Sequence, residues 1–351
     1  TEEAVESGFI TEIVNLSAKL NFSSRTDALL YWQPEFKYRF DGDPKTVINQ
    51  DLYARLNHAI SPRAFLTLSD RLRYQEKEGQ TGAVGGGPSD FDQNYIENDL
   101  LGSVEYTLNT VSYLNVGAGY EFRTWDDATY GQGVRNNDYD QFRLNGSYMR
   151  QLKPNKTVGI FGANYTDHSY EGNRGGFETI SFFGGVDQNF TPNVTGFGRA
   201  GFSMNDVDNG AAGNTDTTTP YFQAGLEVNP SARTSVNGSL GYSLYRAENS
   251  VYNAQDRFNL GLGVRHDITA KINLAGSFSY IFSDYSADYA VGTAGDADDT
   301  YVTLGLRASY QFNRNNFIEL GYLFRTRTTS GNAGLQEFDG NRVDMGWRLR
   351  L

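Results

Sequence analysis

Long stretches of strict two-residue alternation constrain this chain more than any other feature. From Ala28 to Phe40, the residues Ala28, Leu30, Trp32, Phe36, Tyr38 and Phe40 share one parity; Tyr31, Gln33, Glu35, Lys37 and Arg39 share the other. Period two places the two sets on opposite faces of a strand, one apolar and one polar. Such a run exceeds the ~5–6 residues usual for soluble strands. It suits a tilted strand that crosses lipid with ~9–11 residues and projects beyond it.

The pattern recurs along nearly the whole chain. Leu66, Leu68, Leu72 and Tyr74 alternate with Thr67, Ser69, Arg71 and Arg73; Leu114, Val116, Ala118, Tyr120 and Phe122 alternate with Asn115, Gly117, Gly119, Glu121 and Arg123. The runs predict strands at 10–22, 28–40, 46–60, 64–76, 93–108, 112–124, 139–152, 157–170, 177–190, 194–205, 220–229, 234–247, 255–268, 272–284, 300–312, 317–328 and 338–351. Segment 157–170 fits least well, because Phe161 and Tyr165 fall out of phase with Val158 and Ile160.

Connections sort by length. Ser61-Pro62-Arg63, Asn109-Thr110-Val111, Lys153 to Lys156, Thr191-Pro192-Asn193, Asn229 to Arg233, Thr269-Ala270-Lys271 and Asn313 to Asn316 read as tight turns. Between them, 77–92, 125–138, 206–219 and 285–299 read as long polar loops. Short turns opposite long loops are a feature of outer-membrane barrels, and a soluble sandwich has no reason to sort its loops so. The expected fold is all-β: a transmembrane antiparallel up-and-down β-barrel of 16–18 strands, one domain over residues 1–351. The odd number of runs favours 18, with a first strand lying outside this chain, since bacterial single-chain barrels have even counts.

Composition agrees. The 351 residues include 39 Gly, 23 Tyr, 23 Phe and no Cys. Mean hydropathy is -0.53, and no apolar run approaches the ~20 residues of a membrane helix. Alternating strands average to soluble-looking hydropathy. Lack of cysteine removes disulfide frameworks, thiol catalysis and cysteine metal sites. A net charge of -12 argues against nucleic acid as a partner. Thr1-Glu2-Glu3-Ala4 has neither the basic start nor the apolar core of a signal peptide, so a processed or trimmed chain is expected.

Parity also assigns residues to the polar face. It carries Arg39, Arg55, Arg71, Arg73, Arg123, Arg143, Arg199, Arg257, Arg265, Arg307, Arg325, Arg327 and Arg348, with Lys19 and Lys37. Tyr31, Tyr53, Tyr95, Tyr221 and Tyr301 share it. Its acids are fewer: Glu35, Asp51, Glu97, Asp99, Glu105, Glu121, Asp187, Glu227, Glu319 and Asp344. Other acids gather in the long loops or at their edges, among them Glu76, Glu78, Asp90, Asp126, Asp127, Asp138 and Asp284. These arginines and tyrosines are the expected pore-lining residues. Ion pairs that brace the wall account for about half of the arginines on the expectation that charges in a narrow lumen pair. The rest suit anions, because the guanidinium fork binds carboxylate or phosphate with two hydrogen bonds. On the other parity, Tyr120, Phe122, Tyr280, Phe282, Phe312, Tyr322, Phe324 and Trp347 fall near strand ends, where aromatic girdles meet the membrane interfaces.

The C-terminal run Arg342-Val343-Asp344-Met345-Gly346-Trp347-Arg348-Leu349-Arg350-Leu351 has apolar residues at every odd position. It resembles the terminal signal read by the barrel-assembly machinery, departing from the usual final Phe or Trp at Leu351. Near the start, Gly8-Phe9-Ile10-Thr11-Glu12-Ile13 precedes two long strand patterns. Together these features resemble the β-barrel porin-type outer-membrane proteins of Gram-negative bacteria, some of which are associated with exopolysaccharide or exosortase systems. The resemblance covers the chain as a pattern. It implies an additional strand before Gly8, the outer membrane as location, and the assembly machinery as a partner through residues 342–351.

Sites for other chemistry are weak. Gly196-Phe197-Gly198-Arg199-Ala200-Gly201 matches a dinucleotide fingerprint, but it lies inside a strand pattern where a helix would have to open. Asp206-Val207-Asp208-Asn209-Gly210 places Val207 at a ligand position and fails as a calcium loop. Asp296, Asp298 and Asp299 form a second acidic cluster, read as solvated loop. His58, His168 and His266 lack metal-ligand spacing, and His266 has no serine partner for nucleophilic catalysis. Neither enzyme activity nor cofactor nor metal is expected.

The expected function is an outer-membrane channel for anionic or sugar-like solutes, one candidate being the exit pore of an exopolysaccharide pathway. A general diffusion porin and a closed-lumen structural or assembly partner are the alternatives. Expected partners are outer-membrane lipid, lipopolysaccharide and periplasmic polysaccharide-export components. Short turns and the C-terminus are expected in the periplasm, with the long acidic loops outside.

Overall fold

The computed structural model describes residues 9–40, 46–76, 94–125, 138–171, 175–210, 213–247, 251–290, 294–331 and 337–349. The strands are β1 (Phe9–Ile13), β2 (Leu16–Ser23), β3 (Thr26–Arg39), β4 (Thr46–Ser61), β5 (Ala64–Gln75), β6 (Tyr95–Asn109), β7 (Ser112–Trp125), β8 (Tyr139–Lys153) and β9 (Thr157–Tyr170). They continue as β10 (Gly176–Thr191), β11 (Val194–Asp208), β12 (Asn214–Ser231), β13 (Thr234–Arg246), β14 (Ala254–Asp267), β15 (Ile272–Tyr285), β16 (Ala297–Gln311), β17 (Asn316–Gly331) and β18 (Phe338–Leu349). All 18 belong to one up-and-down antiparallel sheet. The loop expected at 77–92, most of that at 125–138, and the terminal Arg350-Leu351 lie outside the described residues.

The chain divides into two compact units. One comprises residues 1–147 and 164–175; the other comprises residues 148–163 and 176–351.

In the first unit, β2 to β7 pair with their sequence neighbours, with register shifts beside the short turns at Asn21/Ser23, Ala59/Ser61 and Thr107/Asn109. The run expected at 10–22 is interrupted. Ile13 pairs with Glu35 and Leu16 with Trp32, so β1 and β2 keep a single register along β3. The break at Val14-Asn15 faces Pro34, which has no N–H to give; the Val14 N–H still donates to the Pro34 carbonyl at 3.1 Å.

In the second unit, β10 to β18 form a second continuous set of antiparallel pairs. The long loop expected at 206–219 is instead a projecting hairpin. β11 continues through Asp208, β12 starts at Asn214, and Asn209 N–H closes the turn on the Gly213 carbonyl at 3.1 Å. Gly210 and Gly213 take positive φ values of 62° and 91°, which glycine adopts without steric cost. The loop expected at 285–299 is shorter too, because β16 starts at Ala297 and a 3-10 turn occupies Ala287–Tyr289. Segment 157–170 is a strand despite its mixed phase: Ile160 is buried and Phe161 is exposed on the opposite parity.

Large residues of the apolar parity are exposed in both units. Leu30, Trp32, Leu52 and Leu72 stand out from the first unit; Val264, Leu306, Leu320 and Met345 stand out from the second. In water such faces would have to find a partner. On β15 this face runs from Ile272 to Phe282, about 33 Å along the strand at ~3.3 Å per residue. A tilt of ~40° reduces that to about 25 Å, the height of an outer-membrane apolar band.

Candidate functional site

The polar face of the first unit is a charged ladder. Asp51, Arg73, Glu97 and Arg123 lie in one row across β4 to β7, because antiparallel register sets them directly opposite one another. Tyr53, Arg71, Asp99 and Glu121 form the adjacent row. Arg71 Nε donates to Asp51 Oδ1 at 2.8 Å. Glu97 is fully buried and accepts from Arg73 and from Arg123, whose Nε is 2.8 Å from its Oε2. Arg143 pairs with Asp99 and lies 3.6 Å from Glu121. These four expected pore-lining arginines therefore spend their charge on the wall.

Aromatic residues enclose the upper end of this ladder. The Arg123 guanidinium lies 4.5 Å from the Tyr95 ring and 5.4 Å from both Trp125 and Tyr139. His168 packs between Tyr139 and Tyr170, with centroids 4.8 and 4.6 Å away. Trp125, Tyr139 and His168 were not expected at the site, although Trp125 and Tyr139 share the parity of Arg123. Tyr31 hydrogen-bonds Gln33 and Asn15, and Tyr53 stands opposite it in register. Lys37 is buried over the Phe9 ring at 4.2 Å. Arg55 and Lys19 are exposed and make no ion pair among the described residues. The Arg39 side chain lies outside what is described.

The polar face of the second unit has three tiers. At the upper end, Arg327 and Asp299 are buried together, with Nε–Oδ1 and Nη2–Oδ2 distances of 2.9 and 3.1 Å. Arg257 is buried against Tyr245, 5.1 Å from the ring. Tyr301, also buried, packs on Phe338.

The middle tier is small and uncharged. Ser239, Gly261, Ser279 and Thr303 form one row, and Asn237, Gly263, Ser277 and Gly305 form the next. A Cβ on Gly263 would collide with the Asn237 amide, so glycine lets that amide lie flat against the wall. Arg325 borders this tier opposite Thr303.

The lower tier carries exposed cations. Arg265 and Arg307 share a row with Ala275 between them and Gly321 beyond. Their side chains are 66% and 62% exposed, and their nearest carboxylates, Asp267 and Glu319, are both 3.8 Å away. Arg348 is 56% exposed and binds Glu319 at 2.8 Å. Arg199 pairs with Asp187 at 3.2 Å beside Phe197, and Tyr221 packs on Phe183.

Beyond the upper tier, one connection folds back over the sheet. Tyr289 is buried among Phe177, Val207, Leu244 and Ala254. Its hydroxyl lies 3.3 Å from Asp256 Oδ2 and 3.5 Å from Thr217 Oγ1. Asn253 N–H donates to the Tyr289 carbonyl at 2.9 Å, and the Asn209 side chain donates to the Asp288 carbonyl at 2.7 Å. The acidic clusters of this region are structural. Asp208 caps Gly210 N–H, Asp296 caps Ala287 N–H, Asp298 accepts from Ser330, and Asp299 holds Arg327.

Tyr120, Phe122, Tyr280, Phe282, Tyr322, Phe324 and Trp347 all share the apolar parity of their strands, with Phe312 just past the end of β16. Phe222 stacks on Tyr242, and Phe258 packs against both Phe222 and Tyr280 on that face.

Residues 98–351 match the family described as "Putative beta-barrel porin 2". The fold is also similar to solved structures. The ferric citrate transporter FecA in its unliganded form shares 10% identity at a TM-score of 0.56, over 97% of this chain and 62% of that one. The FrpB iron transporter from Neisseria meningitidis, F5-1 variant, shares 10% identity at a TM-score of 0.53, over 93% of this chain and 63% of that one. A mutant of the ferric enterobactin receptor PfeA from Pseudomonas aeruginosa shares 10% identity at 0.53, over 99% of this chain and 70% of that one. This chain thus spans under two thirds of the first two, and identity this low establishes the fold alone: an outer-membrane-type β-barrel. No curated protein matches the sequence.

Proposed function

The chain belongs to the family described as "Putative beta-barrel porin 2", and on that premise we propose that it is an outer-membrane channel for anionic or sugar-like solutes. The observation that carries this reading is the difference in exposure among the arginines of the polar face, each of which has a carboxylate within 4 Å. Arg73, Arg123 and Arg327 are covered and hold carboxylates, whereas Arg265, Arg307 and Arg348 are more than half exposed. Guanidiniums left accessible on a channel wall attract oxyanions. The adjoining Ser, Thr, Asn and Gly tier offers hydroxyl and amide contacts without charge, which suits a sugar.

The same reading orients the molecule. Short turns and the C-terminus face the periplasm, and the acidic connections face outward among lipopolysaccharide. The outward parity of β18, with Val343, Met345, Trp347 and Leu349 exposed, is the surface that the barrel-assembly machinery would read. An exopolysaccharide exit is the most specific form of the proposal, with periplasmic export components as partners. The self-neutralising ladder of the first unit favours a broader second reading, a general diffusion porin.

Proteoliposome swelling tests the proposal. Uncharged and carboxylated sugars of equal size should both enter, the carboxylated ones faster. Exclusion of both contradicts it. A deletion strain that loses polysaccharide export supports the exit pore; normal export with lost sugar uptake supports the general porin.

A further inference from the structure

The short turns are basic in a chain that is acidic overall. Arg25, Arg63, Lys153, Lys156, Arg233, Lys271 and Arg314 lie in or beside them, exposed and without an ion-pair partner among the described residues. The turns themselves, 23–26, 61–64, 109–112, 153–157, 191–194, 231–234, 268–272 and 312–316, contain no Asp or Glu.

A recurrent local device positions these cations. A Ser or Thr at the start of the turn accepts the backbone N–H two residues on: Ser23 from Arg25 at 3.1 Å, Ser61 from Arg63 at 3.2 Å, Ser231 from Arg233 at 3.2 Å and Thr269 from Lys271 at 3.1 Å. The side-chain oxygen substitutes for a backbone acceptor and fixes the third residue of each turn.

At the β12–β13 hairpin, the turn cation meets a cation of the polar face. Arg233 and Arg265 line one cavity of about 330 Å³ together with Asn229, Ser231, Ser235 and Asp267. The Asp267 N–H donates to the Arg233 carbonyl at 2.8 Å, which ties the end of β14 to the turn. Ser235 stands opposite Arg265 in register. The Asp267 carboxylate accepts from Asn273 at 2.6 Å and stays 3.8 Å from Arg265, too far for a hydrogen bond, so the donors of that guanidinium remain available. Nearby Glu227 is engaged by Asn229 at 3.0 Å.

We infer that this cavity is an oxyanion-binding site at the short-turn mouth, in which Arg233 and Arg265 grip a carboxylate or phosphate carried by a sugar-like solute. Two guanidinium forks supply paired donors, Ser235 and Asn229 supply hydroxyl and amide contacts, and the volume admits one or two sugar rings, at the small end of the ~300–1,000 Å³ usual for ligand pockets. The site rests on the channel proposal for its role but not for its existence.

Calorimetric titration of the detergent-folded full chain tests it, with trigalacturonate, maltotriose and inorganic phosphate as probes. Trigalacturonate should bind and maltotriose should not. Arg233→Gln combined with Arg265→Gln should weaken binding about tenfold or more, while Arg63→Gln, a turn cation of the first unit, should change it less than about twofold. Phosphate binding as tightly as trigalacturonate would identify the ligand as the free ion at the same site. Absence of binding, or an equal loss in Arg63→Gln, overturns the inference. Binding by protein that passes no current in bilayers retains the pocket and rejects the channel; current without binding does the reverse.

Discussion

Phe222 of β12 stacks on Tyr242 of β13, ring centroids 5.8 Å apart and planes 10° from parallel, and this pair is the last rung at which the two strands are hydrogen-bonded in register. β12 continues for eight residues beyond it, back to Asn214. Pro220 lies two residues past the rung and has no N–H for the next one. Tyr289 fills the gap by reaching Thr217 on β12 and Asp256 on β14. Tyr289→Ala should therefore release the connection while leaving the strands intact. Hydrogen exchange should accelerate at Asn253, whose N–H bonds the Tyr289 carbonyl, and stay unchanged at Leu260 and Leu304 in mid-strand. Equal exchange at Asn253 in both proteins would show that Tyr289 does not hold the loop.

The Tyr289 hydroxyl also makes the docking alkali-sensitive. Burial first, and then Asp256 and Tyr242 nearby, push its pKa up to about 12. A released tyrosine ionises near its ordinary value of 10.0. Docking therefore keeps its full strength below pH 10 and weakens as pH rises from 10 toward 12, because only the released form gives up its proton cheaply. Ultraviolet titration should show one late-ionising tyrosine fewer in Tyr289→Phe than in the natural chain. Identical titration curves would contradict this.

Arg327 and Asp299 should behave as a unit. Removing Arg327 takes the guanidinium from the Asp299 carboxylate in a covered site, a loss of about 3–5 kcal/mol. Asp299→Leu combined with Arg327→Met should recover most of that, because apolar residues of similar size need no partner. Unfolding in urea from lipid vesicles measures all three variants. A double variant as unstable as either single one would show that the pair contributes more than mutual neutralisation.

Glu97 and Asp51 offer a graded comparison on one ladder. Glu97 is buried between two arginines, so Glu97→Gln strands both of them. Asp51 faces Arg71, whose side chain is 46% exposed, and water screens that pair to about 0–1 kcal/mol. Glu97→Gln should lower the urea midpoint clearly, and Asp51→Asn only slightly. The reverse order would contradict the assignment of Glu97 as the brace.

The strands were legible because lipid on one side and polar groups on the other impose period two, and each expected run holds strand among the described residues, the one at 10–22 being split in two at Val14-Asn15. Residues 214–219 were not, because Asn-Thr-Asp-Thr-Thr-Thr is polar on both faces and alternation carries no contrast there. They are strand because β11 pairs with them from Ser203 to Asp208. The break at Val14-Asn15 depends on Pro34, one strand away, and so lay outside any reading of the run itself. The polar parity of the arginines was readable, but their pairing was not. Whether Arg73 meets Glu97 depends on register between strands, which is set by turn length and packing. Tyr289 gave no periodic signal at all, since its role is to fill a gap left by another strand.

The central claim is that the exposed arginines Arg265, Arg307 and Arg348 make the polar face of this porin-family chain a path for anions. Reversal potential in planar bilayers under a KCl gradient tests it most directly. The account predicts anion-selective conductance that shifts toward cations in the triple variant Arg265→Gln, Arg307→Gln and Arg348→Gln. Cation selectivity in the natural chain, or silent bilayers, would contradict it.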